Sequence, residues 1–257
     1  MTNKDLKIVI VVLACCLAAV LVSAIVFGIL YFATRSRDDD ATDFSNLTYL
    51  ALGDSITYGY DSARNGLAMD NPYCKVVEKL LVLKNSINEG ISGSTVAAGF
   101  LRAEMCERYK TMPDNADIVS VMGGVNDYAV GVPLGKADDT DTTTFYGALN
   151  ALASGLKAKY PNAFIFFMTP LKFRDCENAV GLSGAMLKDY RKAVKDVCAK
   201  YDIPVLDTNE LADYSKEYNT PGYTGDGLHP SQEFMLKTLG PLIAQFIRDN
   251  LTDISTN

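Results

Sequence analysis

The chain has 257 residues, 48% of them hydrophobic, 10% aromatic and 21% charged. This composition excludes a disordered or collagen-like protein. The 31 Asp+Glu outnumber the 24 Lys+Arg, a formal net charge of −7, so the basic footprint that a nucleic-acid backbone demands is absent and no nucleic-acid partner is expected.

The first element is an apolar stretch, Ile8–Ala33, without one charged residue. At about 1.5 Å per residue it would reach about 39 Å as a helix, more than the roughly 30 Å of a bilayer's hydrocarbon. It is also longer than a signal-peptide core. Residues 1–34 are therefore expected to hold one uncleaved transmembrane anchor, with a polar linker over 35–46 and a single domain over 47–257. Lys4 and Lys7 balance Arg35 and Arg37 across the span. The free amino terminus tips the orientation toward an inside N-terminus, placing the domain on the extracytoplasmic face of the cell membrane. Cys74, Cys106, Cys176 and Cys198 form an even set in that domain, either paired in an oxidising compartment or left as buried thiols. With six Cys, no CxxC and one His, the chain lacks the close ligands of a zinc site, so no metal is expected.

Within the domain, Leu47–Leu52 reads as a buried strand ending at Gly53-Asp54. Asn71-Pro72 then opens a helix, with Asn as the cap and Pro in the first turn. Its apolar side is Val76, Val77, Leu80, Leu81 and Leu83. A strand near Asn85–Asn88, a helix over Val96–Tyr109 and a strand over Asp117–Met122 follow. Thr143–Tyr160 has helical spacing and is stopped by Pro161. Ala163–Met168 is a strand, Ser183–Tyr201 a helix, Ile203–Leu206 a strand and Ser231–Asn250 the closing helix. Strands alternating with helices predict an α/β fold around a mostly parallel sheet. Ligands of such sheets bind beyond the carboxyl ends of the strands.

Four segments lie at those ends: Gly53-Asp54-Ser55, Asn88–Gly93, Gly124-Val125-Asn126-Asp127 and Asp226-Gly227-Leu228-His229-Pro230. A serine becomes nucleophilic when a base takes its proton, and His229 is the only imidazole in the chain. Asp226, three residues earlier, can fold back to orient that ring, leaving its other nitrogen for Ser55. Acyl transfer also needs donors for the developing oxyanion. The candidates are the Ser55 and Gly93 backbone N–H groups and the Asn126 amide. Asp54 and Asp127 read as acceptors that stabilise their turns.

These four blocks resemble those of the SGNH, or GDSL-type, hydrolases, and the similarity spans about residues 47–250. The resemblance implies a three-layer, flavodoxin-like α/β/α fold with a five-stranded parallel sheet. It implies a catalytic Ser55, Asp226 and His229, an oxyanion hole of Ser55, Gly93 and Asn126, and no metal or organic cofactor. It also implies a serine esterase acting on carboxylic esters. The loops Tyr128–Thr142 and Pro170–Gly181, the second carrying Lys172 and Arg174, show no long apolar lid. That favours short acyl groups such as acetyl, on a carbohydrate. The alternatives are an acyltransferase that passes the acyl group to a glycan hydroxyl, and a non-catalytic binding module of the same fold.

Overall fold

Runs of apolar residues form the strands β1 (Thr48–Gly53), β3 (Ile118–Met122) and β4 (Phe164–Met168), while the shorter β5 (Val205–Leu206) and the more polar β2 (Asn85–Gly90) lie at the two edges. The helices are α1 (Ser55–Tyr58), α2 (Tyr73–Leu81), α3 (Met105–Arg108), α4 (Val125–Val130), α5 (Phe145–Lys159) and α6 (Leu187–Lys200). A helical turn, Gln232–Phe234, then runs through a π-helical stretch, Met235–Leu239, into α7 (Gly240–Ile254). This computed structural model describes residues 43–172, 176, 178–208 and 226–254. The Ile8–Ala33 stretch and Arg174 lie outside the described residues. Among the described residues, no helix is long and apolar enough to cross a membrane.

The strands pair in parallel in the order β2-β1-β3-β4-β5. Alternation along each strand sorts side chains to opposite faces of the sheet. Tyr49, Ala51, Ile118, Phe164, Phe166 and Met168 join one core, which is closed by α2 and α7. Leu50, Leu52, Val119, Val121, Ile165 and Phe167 join the other, closed mainly by α5 and α6. The central strands are apolar because both faces are covered. β2 is less so, being an edge strand. The result is the three-layer α/β/α sandwich, and its strand order reverses between β1 and β3, where open α/β sheets bind their ligands.

Three expectations need correction. The helix expected over Val96–Tyr109 is confined to α3 and a 3₁₀ turn, Tyr109–Thr111. The backbone before it is engaged elsewhere: Val96 and Ala97 donate to the Asp127 carboxylate, and Ala98 to the Thr142 carbonyl. These long-range bonds replace the local helical ones. Helix α2 starts one residue later than expected, with Pro72 as its cap and no side-chain cap bond. Asn71 is drawn away, its amide N–H and carbonyl both bonded to the Gln232 side chain. Helix α6 begins at Leu187 rather than Ser183, where Asp189 accepts the Met186 N–H at 2.8 Å. Of the two readings of Cys74, Cys106, Cys176 and Cys198, the structure has the thiols: none is in a disulfide, and all but the half-buried Cys176 are buried.

Candidate active site

The chain leaves β1 at Gly53 and turns at once into α1. Asp54 caps that helix, its Oδ1 accepting the Ile56 N–H at 2.9 Å. Ser55 therefore sits in the first turn, where backbone N–H groups have no intrahelical acceptor. The Ser55 side chain is 174 residues away from His229 in sequence, yet its Oγ lies 2.8 Å from His229 Nε2. On the far side of the ring, His229 Nδ1 lies 2.7 Å from Asp226 Oδ2. The other Asp226 oxygen accepts the backbone N–H of Leu228 and His229, at 3.0 and 2.8 Å. Partial burial opposes its charge, but these bonds from the imidazole and the two amides hold Asp226 below the usual carboxylate range. Asp226 is thus a fixed anion that orients one imidazole nitrogen and leaves the other facing a hydroxyl.

The oxyanion candidates come from two further strand ends. The segment after β2 is stitched to that after β1: Ile91 N–H donates to the Gly53 carbonyl and Asn88 Nδ2 to the Thr57 carbonyl. Gly93 has φ +78, a left-handed conformation suited to glycine, and a Cβ there would meet nothing within 4 Å. Asn126 opens α4 beyond β3, and its Nδ2 donates to the Ser94 carbonyl at 2.9 Å. One amide hydrogen thus holds the residue next to Gly93, and the second remains for a ligand. The structure brings the Ser55, His229 and Asp226 side chains into one hydrogen-bonded chain and ties the Gly93 loop to Asn126.

The two remaining acidic residues differ. Asp54 is the local turn acceptor expected. Asp127 acts at long range, its carboxylate receiving the Val96 and Ala97 N–H groups and anchoring the loop that follows Gly93. Burial pushes both carboxyls up, Asp54 to about 7 and Asp127 to about 6.

Two residues at the site escape a reading of the sequence. The Arg108 guanidinium donates to the carbonyls of Gly53, Glu89 and Ala103, joining the exits of β1 and β2 to α3. The Tyr60 ring packs on the His229 imidazole, centroids 4.3 Å apart. Neither has a spacing that signals its role. An aromatic residue five positions after Ser55 is the only hint of the second.

A hydroxyl, an imidazole and a carboxylate in line, at the switch point of a doubly wound parallel sheet, define the arrangement of a serine hydrolase. Residues 51–235 match the model of the GDSL-like lipase/acylhydrolase family. The chain belongs to that family and is an ester hydrolase of the SGNH type. Among solved structures, a protein from Lactobacillus plantarum is 31% identical, with a TM-score of 0.64 over 81% of this chain and 98% of that one. A possible lipase from Chitinophaga pinensis is 24% identical, with a TM-score of 0.63 over 82% and 100%. A carbohydrate acetylesterase family member from Sinorhizobium meliloti is 21% identical, with a TM-score of 0.59 over 80% and 99%. The last two likenesses speak to the fold alone. A search of curated proteins found no match.

Proposed function

We propose that this protein is a membrane-anchored serine esterase that hydrolyses short-chain esters, acetyl esters of carbohydrates in particular, through an acyl-enzyme. The observation that carries the mechanism is the 2.8 Å approach of Ser55 Oγ to His229 Nε2, with Asp226 2.7 Å from the ring's other nitrogen. Ser55 Oγ attacks the ester carbonyl carbon while its proton passes to His229 Nε2. The Ser55 and Gly93 N–H groups and the free Asn126 amide hydrogen receive the oxyanion. Collapse of the tetrahedral adduct breaks the bond to the alcohol, which leaves with the proton from His229. Water then gives its proton to His229 and its oxygen to the acyl carbon, releasing the acid and restoring Ser55.

The anchor reading rests on the uncharged Ile8–Ala33 stretch, and it puts the domain beside extracytoplasmic glycans. The acetyl-carbohydrate reading is supported by the loop Tyr128–Thr142, whose residues are mostly small or polar. The test is hydrolysis of p-nitrophenyl esters of increasing chain length, and of acetylated oligosaccharides, by the full chain in detergent beside Ser55→Ala. The expected result is activity highest on acetyl and lost in the variant. Wild-type turnover no faster than that of Ser55→Ala would overturn the esterase mechanism. A preference for long acyl chains would overturn the substrate reading alone.

A further inference from the structure

Two hydrogen bonds, one at each nitrogen, hold the His229 ring along a single axis through Nδ1 and Nε2. Bonds in that arrangement leave the ring free to tilt about the axis, and a face contact is what resists tilt. The contact comes from Tyr60, whose ring lies 4.3 Å away centroid to centroid with the planes 35° apart.

Tyr60 is itself firmly placed. Its N–H donates to the Ser55 carbonyl at 2.9 Å, so the same residue touches both the serine's backbone and the histidine's ring. It pairs with Ala68 across an antiparallel bridge, and the intervening loop is closed by Asp61, which bonds the backbones of Leu67 and Gly66. Behind the ring, Gly66 at φ +83 leaves the space in which the ring sits. A Cβ there would lie 2.5 Å from a Tyr60 ring carbon. The phenyl ring is thus packed against bare backbone on one side with the imidazole on another.

We infer that Tyr60 is a positioning residue of the hydrolytic reaction, an aromatic platform that holds the His229 ring toward Ser55 and stabilises the imidazolium formed as the serine proton is taken. A cation within about 6 Å of a ring centroid is attracted to the π face. Because His229 bears that charge in the transition state and not in the enzyme–ester complex, the contribution falls on kcat and spares KM. The phenol hydroxyl has no part in it.

The inference rests on the reading of His229 as general base, so Ser55→Ala and His229→Ala must first abolish ester hydrolysis by the full chain. If they do not, the esterase reading fails and this inference falls with it. Steady-state kinetics on p-nitrophenyl acetate then compare Tyr60→Phe, Tyr60→Leu and Tyr60→Ala, with thermal melts alongside. Tyr60→Phe is expected to match the parent within about twofold, while Leu and Ala lower kcat by about five- to thirty-fold with KM nearly unchanged. Should the Ala variant fail to fold, Tyr60→Leu, which fills the space without a π face, carries the test. A Leu variant as fast as the parent, a loss confined to KM, or a Phe variant as poor as Leu would each overturn the proposal.

Discussion

Ser55 and His229 stand 174 positions apart and meet at 2.8 Å, so the reactive pair exists only when β1 and the segment before α7 are both in place. Within the pair each contact has a separate source. Asp226 is local, reaching back three residues to the ring and to two amides, and needs little of the fold beyond its own turn. Asn126 is not local, since one of its amide hydrogens is committed to Ser94, 32 residues earlier. Replacing it removes both the proposed oxyanion donor and the bond to Ser94 beside Gly93. Asn126→Ala is therefore expected to lower kcat on p-nitrophenyl acetate by about 10²–10³. KM should change far less, because the donor acts on charge that develops in the transition state. Steady-state kinetics would check this, and a kcat within threefold of the parent would remove Asn126 from the oxyanion hole.

At the scale of elements, α1 is held at both ends by features that suit its place behind Ser55. Asp54 caps it from a fully buried position, with one carboxylate oxygen on Ile56 N–H and the other, Oδ2, without a hydrogen-bond partner among the described residues. Burial raises this carboxyl from 3.8 to about 7, so the folded protein binds its proton more tightly than the unfolded chain does. The stability this contributes is complete below about pH 4 and is lost as pH rises toward about 7. Asp54→Asn keeps the cap acceptor and cannot ionise. Its melting temperature is expected to fall less than the parent's between pH 4 and 7, by calorimetry in matched buffers. Arg108 ties the neighbouring strand exits to α3, and its removal would leave the Gly53 and Glu89 carbonyls without that donor. The Gly53 carbonyl keeps the Ile91 N–H, so what is lost is the hydrogen bonds from a charged donor, each worth about 1.5–3 kcal/mol. Arg108→Met should thus lower the denaturant midpoint by an amount worth at least about 2 kcal/mol. An unchanged midpoint would mean that water replaces the guanidinium.

For the whole molecule, stability rests on the two cores on either face of the sheet, with no covalent cross-link among the described residues. Burial pushes the thiols of Cys74, Cys106 and Cys198 up to about 12, which leaves them protonated and unreactive at neutral pH. Cys176 is the half-buried one. Dithiothreitol is expected to leave the melting temperature unchanged. Iodoacetamide on the native protein should label Cys176 before the other three, as read by peptide mass spectrometry. A drop in melting temperature with reductant would instead show that two of these cysteines pair.

The order of strands and helices and the four strand-end blocks were legible in the sequence because they are local. A buried strand needs consecutive apolar residues, as in Phe164–Met168, and a long helix shows its period, as in Phe145–Lys159. Ser55, Gly93 and Asn126 were visible for the same reason, each lying just after a strand pattern stops, and His229 because it is the one histidine of the chain. What the sequence could not carry was any interaction whose partner is far along the chain. The helix pattern after Val96 gave way because Asp127 and Thr142 take its backbone N–H groups. Helices α1 and α4 are shorter than two turns and too brief to show periodicity. Arg108 and Tyr60 have no distinguishing neighbours in sequence, and become part of the site only through contacts with Gly53, Glu89 and His229. The chemical groups and their approximate sites were thus set by sequence alone. Their distances, the ionisation of the buried acids and the support behind the imidazole were decided by tertiary packing, since only folding brings distant groups together and takes them out of water.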